Sequence, residues 1–264
     1  MILDGEVVIV SGVGPGLGAK LAARAAAEGA KVVMAARSSQ VMDQVAKEVA
    51  AAGGEAVAVP CDVRKSSDVS RVASTAVERF GKITGLVNSA YSHPGFNDLL
   101  DTPDKQLRRS VDIILHGALE MTRAVVPHMT GGGSIVNVGT MSTRKPMRGE
   151  GGYAVAKAAM GCATQYLAVE LGERGIRVNQ AVLGWLDGPG VRFYLKMTAE
   201  QRSVSEQRSV SEQDVYDEIA GRNPLGRIPP DEACAGAILY LLSRLASEVT
   251  GATLDVNGGE YMPA

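Results

Sequence analysis

The sequence predicts a doubly wound α/β domain built on a parallel sheet, and three observations carry that prediction. Short apolar, β-branched runs alternate with helical patterns along the whole 264-residue chain, the order that puts helices on both faces of a parallel sheet. The first run ends directly in a glycine-rich turn, Gly12-Val-Gly-Pro-Gly16-Leu17-Gly18, which leads into a helix-favouring segment and a second apolar run. No linker divides the chain, so one domain is expected over residues 1–264.

The elements follow in order. Glu6–Ser11 reads as the first strand, Ala19–Glu28 as a helix and Lys31–Ala36 as the second strand. Val41–Ala52 is helical and stopped by Gly53-Gly54, and Ala56–Val59 is the third strand. A helix over Asp68–Phe80 stops at Gly81, before a fourth strand at Gly85–Asn88. A long helix is expected from about Asp104 to Met129, with Pro127 ending or kinking it. Three glycines break the chain before the fifth strand, Gly133–Thr140. Tyr153–Arg174 is a second long helix stopped by Gly175, Ile176–Asn179 opens the sixth strand, and Pro230 starts a last helix that runs to Ser243.

Two motifs carry chemistry. In the strand–turn–helix context, Gly12 permits the tight turn, Gly16 lets the backbone approach a pyrophosphate, and Gly18 allows close packing of helix on strand. The N–H groups of the first helical turn then face the anion. In Tyr153-Ala-Val-Ala-Lys157, a phenol and an ammonium stand one helical turn apart on a shared face. A cation beside a phenol stabilises the phenolate, lowers its pKa from near 10 and makes it a usable general acid/base.

These motifs resemble those of the short-chain dehydrogenase/reductase family, and the resemblance covers essentially the whole chain. Cys61-Asp62-Val63, Asn88-Ser-Ala90-Tyr91, Gly133–Thr140, Ile176–Asn179 and Leu254-Asp-Val-Asn-Gly-Gly259 fall in the family's order. The resemblance implies a Rossmann-type sheet of seven mostly parallel strands in the order 3-2-1-4-5-6-7, and a homotetramer packed through its long helices. It further implies a nicotinamide dinucleotide held by Gly12, Gly16, Leu17, Gly18, Asp62, Val63, Asn88, Ala90 and the backbone of Leu186. Tyr153 would transfer the proton, Lys157 would hold the nicotinamide ribose, and Thr140, thirteen residues before Tyr153, would orient the substrate oxygen. Ser142 is the rival for that last role. The chain departs from the family where Ile114 replaces the Asn of a proton relay, with His116 as a nearby guess. It departs again where Leu183-Gly184 replaces Pro-Gly and Gly188 replaces a Thr.

Cofactor choice turns on the end of the second strand, Ala35-Ala-Arg37-Ser38-Ser39, which has a cation and hydroxyls but no acid. That favours NADP, with NAD as the alternative. A lid is expected over about 188–222. Phe193 and Tyr194 on it, with Tyr91, Met141 and Trp185, are expected to wall a pocket for a bulky ketone or secondary alcohol, a 3-oxoacyl thioester being one specific case. A nucleotide-sensing protein with impaired catalysis is the second class of reading. Within 188–222, Arg202-Ser-Val-Ser-Glu-Gln207 is repeated at once as Arg208–Gln213. A neutral duplication is the bland account.

Composition narrows the rest. A formal charge of −2 gives no electrostatic reason to expect nucleic acid or an anionic membrane. Three widely spaced cysteines suggest a reducing compartment and fit no zinc pattern. The first strand begins within six residues of Met1, leaving no room for a signal peptide, and no uncharged run of about 18 residues exists. A cytoplasmic location is the expectation.

Overall fold

The computed structural model describes residues 1–263. Seven parallel strands, β1 (Val7–Ser11), β2 (Lys31–Ala36), β3 (Ala56–Pro60), β4 (Gly85–Asn88), β5 (Gly133–Thr140), β6 (Ile176–Leu183) and β7 (Thr253–Val256), form one sheet in the order β3-β2-β1-β4-β5-β6-β7. The order reverses between β1 and β4, where Ser11 sits opposite Asn88. At such a switch point the connections leave in opposite directions and open a crevice beyond the carboxyl ends of the strands.

Strand pleating sorts the side chains into two cores. Val8 and Val10 of β1 enter the layer shared with α1 (Leu17–Ala27), α2 (Ser39–Ala51) and α9 (Asp231–Leu242). Ile9 enters the opposite layer, with α3 (Ser66–Phe80), α5 (Gly117–Val125) and α6 (Gly151–Leu171). This alternation is the period-2 consequence of a strand buried on both faces. On the far side of the sheet, the Arg177 guanidinium donates to the carbonyls of Leu241, Leu242, Ser243 and Val249 at 2.9–3.2 Å, tying β6 to the end of α9.

Several expected helices begin a turn or less earlier, α2 at Ser39, α3 at Ser66 and α6 at Gly151, and two differences bear on the site. The first helix begins at Leu17 rather than Ala19, so the glycine turn itself supplies its N-cap, Gly16. The long helix is not uniform: α4 (Asp104–Val111) passes through a π turn at Asp112–His116 before α5 resumes, and a 3-10 turn carrying Pro127 ends it at His128. Residues 188–222 fold as α7 (Pro189–Ser205) and α8 (Glu212–Ala220), packed through a small core of their own that includes Leu195, Val210, Val215 and Ile219. No helix among the described residues is long and apolar enough to cross a membrane.

Candidate active site

The crevice at the switch point is a cleft of about 430 Å³ lined largely by apolar surface. Its floor is the glycine turn. Gly12 has φ +99°, and a Cβ there would lie 2.4 Å from the Ala90 backbone nitrogen. A Cβ on Gly18 would lie 2.3 Å from the Gly12 carbonyl oxygen, so neither position admits a side chain. Gly14 faces open space, and no side chain caps the N-terminus of α1. This glycine-lined shelf, with a helix N-terminus uncapped above it, fits a pyrophosphate.

β5 delivers Thr140 to the cleft, and α6 presents Tyr153 and Lys157 beside it. Lys157 is 1 % exposed, and its Nζ donates to the Val138 carbonyl at 2.5 Å. Burial alone brings its pKa down to about 7. Its ammonium lies 5.8 Å from the Tyr153 ring centroid. Burial also dominates at Tyr153 and raises the phenol pKa, with Glu150 and Tyr91 adding to the rise. The Thr140 side chain reaches the phenol and works the other way. The pairing predicts that Lys157 draws the Tyr153 pKa down; burial instead raises it, and Thr140 is the neighbour that opposes the rise. Both groups are pushed toward their neutral forms by desolvation, although Tyr153 itself still opens onto the cleft.

Thr140 and Ser142, read as rivals, are partners. The Thr140 hydroxyl donates to Ser142 Oγ at 3.2 Å and accepts from the Ser142 backbone N–H at 3.3 Å. Ser142 Oγ in turn donates to Glu150 at 3.3 Å. Glu150 and His93 escaped the sequence reading, yet both line the cleft. His93 stacks against Tyr153 with centroids 5.2 Å apart and against Phe96 at 4.3 Å. The aromatic wall continues from Phe96 to Tyr194 and on to Trp185, at 6.3 and 4.8 Å. Met141 and Tyr91 also face the cleft, as expected.

Phe193 does not join them. It is 63 % exposed on the outer side of α7, while the next residue, Tyr194, turns inward. The Asn88 side chain also misses the cleft: it is buried and donates to Asn137 Oδ1 at 2.9 Å, linking β4 to β5. Ile114 packs with Ala118, Ala156 and Met160 against Tyr153, an apolar cluster with no relay function, and His116 is exposed.

On the adenosine side, Arg37 and Ser38 are exposed at the end of β2, and among the described residues Arg37 makes no ion pair. Asp62 is held by Arg64 at 2.5–2.9 Å, which lowers its pKa to about 2. Val63 and Ala90 pack into the second core, and Leu17 and Leu186 line the cleft, the Leu186 carbonyl accepting from Gly188 N–H at 2.8 Å. Asp231, also unforeseen, places its carboxylate 3.1 Å from where a Gly16 Cβ would stand. Burial, helped by Asp187, raises its pKa.

A family model described as enoyl-(acyl carrier protein) reductase matches residues 12–260. The chain belongs to the short-chain dehydrogenase/reductase family. It is 32 % identical over 259 residues to dehydrogenase/reductase SDR family member 4 of Bos taurus, covering 97 % of this chain and 88 % of the relative. It is 29 % identical to the 7alpha-hydroxysteroid dehydrogenase of Escherichia coli, covering 97 % of this chain and 94 % of that one. An NAD+-bound xylitol dehydrogenase superposes with TM-score 0.88 at 28 % identity, over 98 % of this chain and all of the other. Like the family, this short-chain dehydrogenase/reductase is an oxidoreductase, and the family uses NAD(H) or NADP(H).

Proposed function

We propose that this short-chain dehydrogenase/reductase interconverts a bulky ketone and its secondary alcohol with NADP as preferred cofactor. The observation that carries the reading is the convergence of Tyr153, Thr140 and Lys157 on one cleft whose floor is the glycine shelf. When bound, the dinucleotide supplies or accepts the hydride. The chain's own part is to place the carbonyl oxygen between the hydroxyls of Thr140 and Tyr153, to move one proton at Tyr153 Oη, and to exclude water. Lys157, buried beside them, is positioned to meet the ribose hydroxyls. Arg37, exposed, unpaired by any described residue and followed by Ser38, supports a 2′-phosphate.

The wall of Phe96, Tyr194 and Trp185 supports a ring system over a short aliphatic substrate, and α7 and α8 supply the lid. Val155, Tyr166 and Val169 leave exposed apolar surface on α6, which supports a homotetramer. A light-scattering mass of one subunit would refute the assembly. The function is tested by screening purified protein against cyclic ketones and alcohols with both nucleotides. Turnover of ring ketones with NADPH is expected. Tight nucleotide binding without turnover on any carbonyl would instead make the chain a sensor.

A further inference from the structure

The family's relay position is closed in this chain. Ile114 occupies it, is 1 % exposed and packs on Tyr153 in an apolar cluster, so its side chain cannot hold a water there. On the opposite side, a chain of polar groups begins at the phenol. Thr140 and Tyr153 line the same cleft, the Thr140 hydroxyl is 3.2 Å from Ser142 Oγ, and Ser142 Oγ donates to Glu150 Oε2 at 3.3 Å. Glu150 Oε1 lies 3.3 Å from His93 Nε2. That contact is within ion-pair distance, but it is not aligned as a hydrogen bond, and both ring nitrogens of His93 are buried without a hydrogen-bond partner. The Glu150 side chain is 14 % exposed, which gives the chain an end that touches water. The charged neighbour on the same loop, Arg148, is committed to Asp98 at 2.7–3.1 Å and does not neutralise Glu150.

We propose that Thr140, Ser142 and Glu150 form the proton relay that connects Tyr153 to solvent. The proposal rests on the carbonyl-reductase reading above. In alcohol oxidation the phenolate of Tyr153 takes the hydroxyl proton of the substrate. The phenol proton then passes to Thr140 Oγ1, the Thr140 proton to Ser142 Oγ, and the Ser142 proton to the ionised Glu150, which releases it to water. Each oxygen gains one proton and loses one, and the phenolate is regenerated. Ser142 can only donate to the ionised Glu150, which leaves its oxygen free to accept from Thr140, the arrangement this outward transfer needs. Carbonyl reduction runs the same chain inward from a protonated Glu150. Glu150 and Ser142 are thus relay groups, while Tyr153 alone exchanges a proton with the substrate.

The test compares wild type, Glu150→Gln and Ser142→Ala in single-turnover and steady-state reduction of a ketone identified by the screen. Glu150→Gln keeps the shape and the hydrogen bond but cannot carry the proton. Its first turnover is expected to stay within about threefold of wild type, because the buried Tyr153 starts as a phenol and carries the first proton. Its steady-state rate is expected to fall by about tenfold or more, a fraction of the 100-fold or greater effect of losing a general acid/base outright. Added imidazole or formate buffer should restore that rate in proportion to its concentration, without changing dinucleotide affinity followed by fluorescence. Ser142→Ala should lose steady-state turnover too. Unchanged steady-state rates, or a loss that buffer does not rescue, would overturn the relay. A rise in KM alone would also overturn it and make Glu150 a substrate contact. If wild type turns over no alcohol or ketone, the functional reading fails rather than the relay.

Discussion

The side-chain nitrogen of Lys157 donates to the carbonyl of Val138, so this buried lysine is pinned to the strand beside it. This fixes the side chain where a ribose must meet it, at the cost of desolvating a charge.

That cost has a pH signature. Burial lowers the Lys157 pKa from 10.5 to about 7. Between those values the unfolded chain carries a proton on this lysine that the folded chain lacks, so stability rises with pH across the window; below about pH 7 both states are protonated and the penalty is full. Cys61 and Cys234, whose pKa values burial raises from 9.0 to about 11 and about 12, pull stability down above pH 9. Lys157→Met isolates the lysine. The wild-type-minus-variant unfolding free energy, from urea titrations at pH 7, 8 and 9, should climb by up to about 1.4 kcal/mol per pH unit. A flat difference would mean that Lys157 keeps its proton when folded.

Tyr153→Phe removes the transferable proton and keeps the ring that stacks on His93. Turnover should fall by at least roughly 100-fold, with dinucleotide affinity nearly unchanged. Steady-state kinetics together with a fluorescence titration separates the two effects, and near-normal turnover would reject Tyr153 as the acid/base.

Arg37→Asp should reverse cofactor preference. A charge-assisted bond to a 2′-phosphate contributes on the order of 1.5–3 kcal/mol. The carboxylate would replace it with repulsion toward NADP and an acceptor for the free ribose hydroxyl of NAD. The specificity constants for both nucleotides should cross, through KM more than through turnover. Wild type already favouring NAD, with little change in the variant, would leave Arg37 a solvated surface group.

Gln207 holds φ +50° at the end of α7, a conformation in which a Cβ is strained. Gln207→Gly should raise stability by up to about 1 kcal/mol, whereas a β-branched Gln207→Val should lower it by about 1 kcal/mol or more. Thermal melts of the three proteins should fall in the order Gly, Gln, Val.

The glycine turn and the Tyr153–Lys157 pair were legible because each depends on spacing within a few residues, and the sheet order followed from the family resemblance those motifs carry. What the sequence concealed depends on contact between distant segments. Adjacent residues on a helix point about 100° apart, so choosing Tyr194 over Phe193 as the cleft residue requires knowing what α7 packs against. Glu150, His93 and Asp231 stand in loops or at a helix start with no periodic pattern, and they reach the cleft only because the strand ends assemble it. Ile114 was visible as a departure, but the polar route on the other side of Tyr153 was not, since Ser142 read alone looks like a competitor of Thr140.

The duplicated hexapeptide takes two forms. In the first copy Arg202–Ser205 closes α7 and Val204 is 81 % exposed; in the second, Val210 is 6 % exposed in the small core, and Ser211 caps α8 through a reciprocal bond with Asp214. One spelling therefore has two readings, and neighbours decide which is used. Excising either copy would yield the same shorter polypeptide, in which a single valine inherits both the outward and the inward post and cannot hold both. The extra six residues act as a joint rather than as ballast. They let the end of one helix and the start of the next be specified separately.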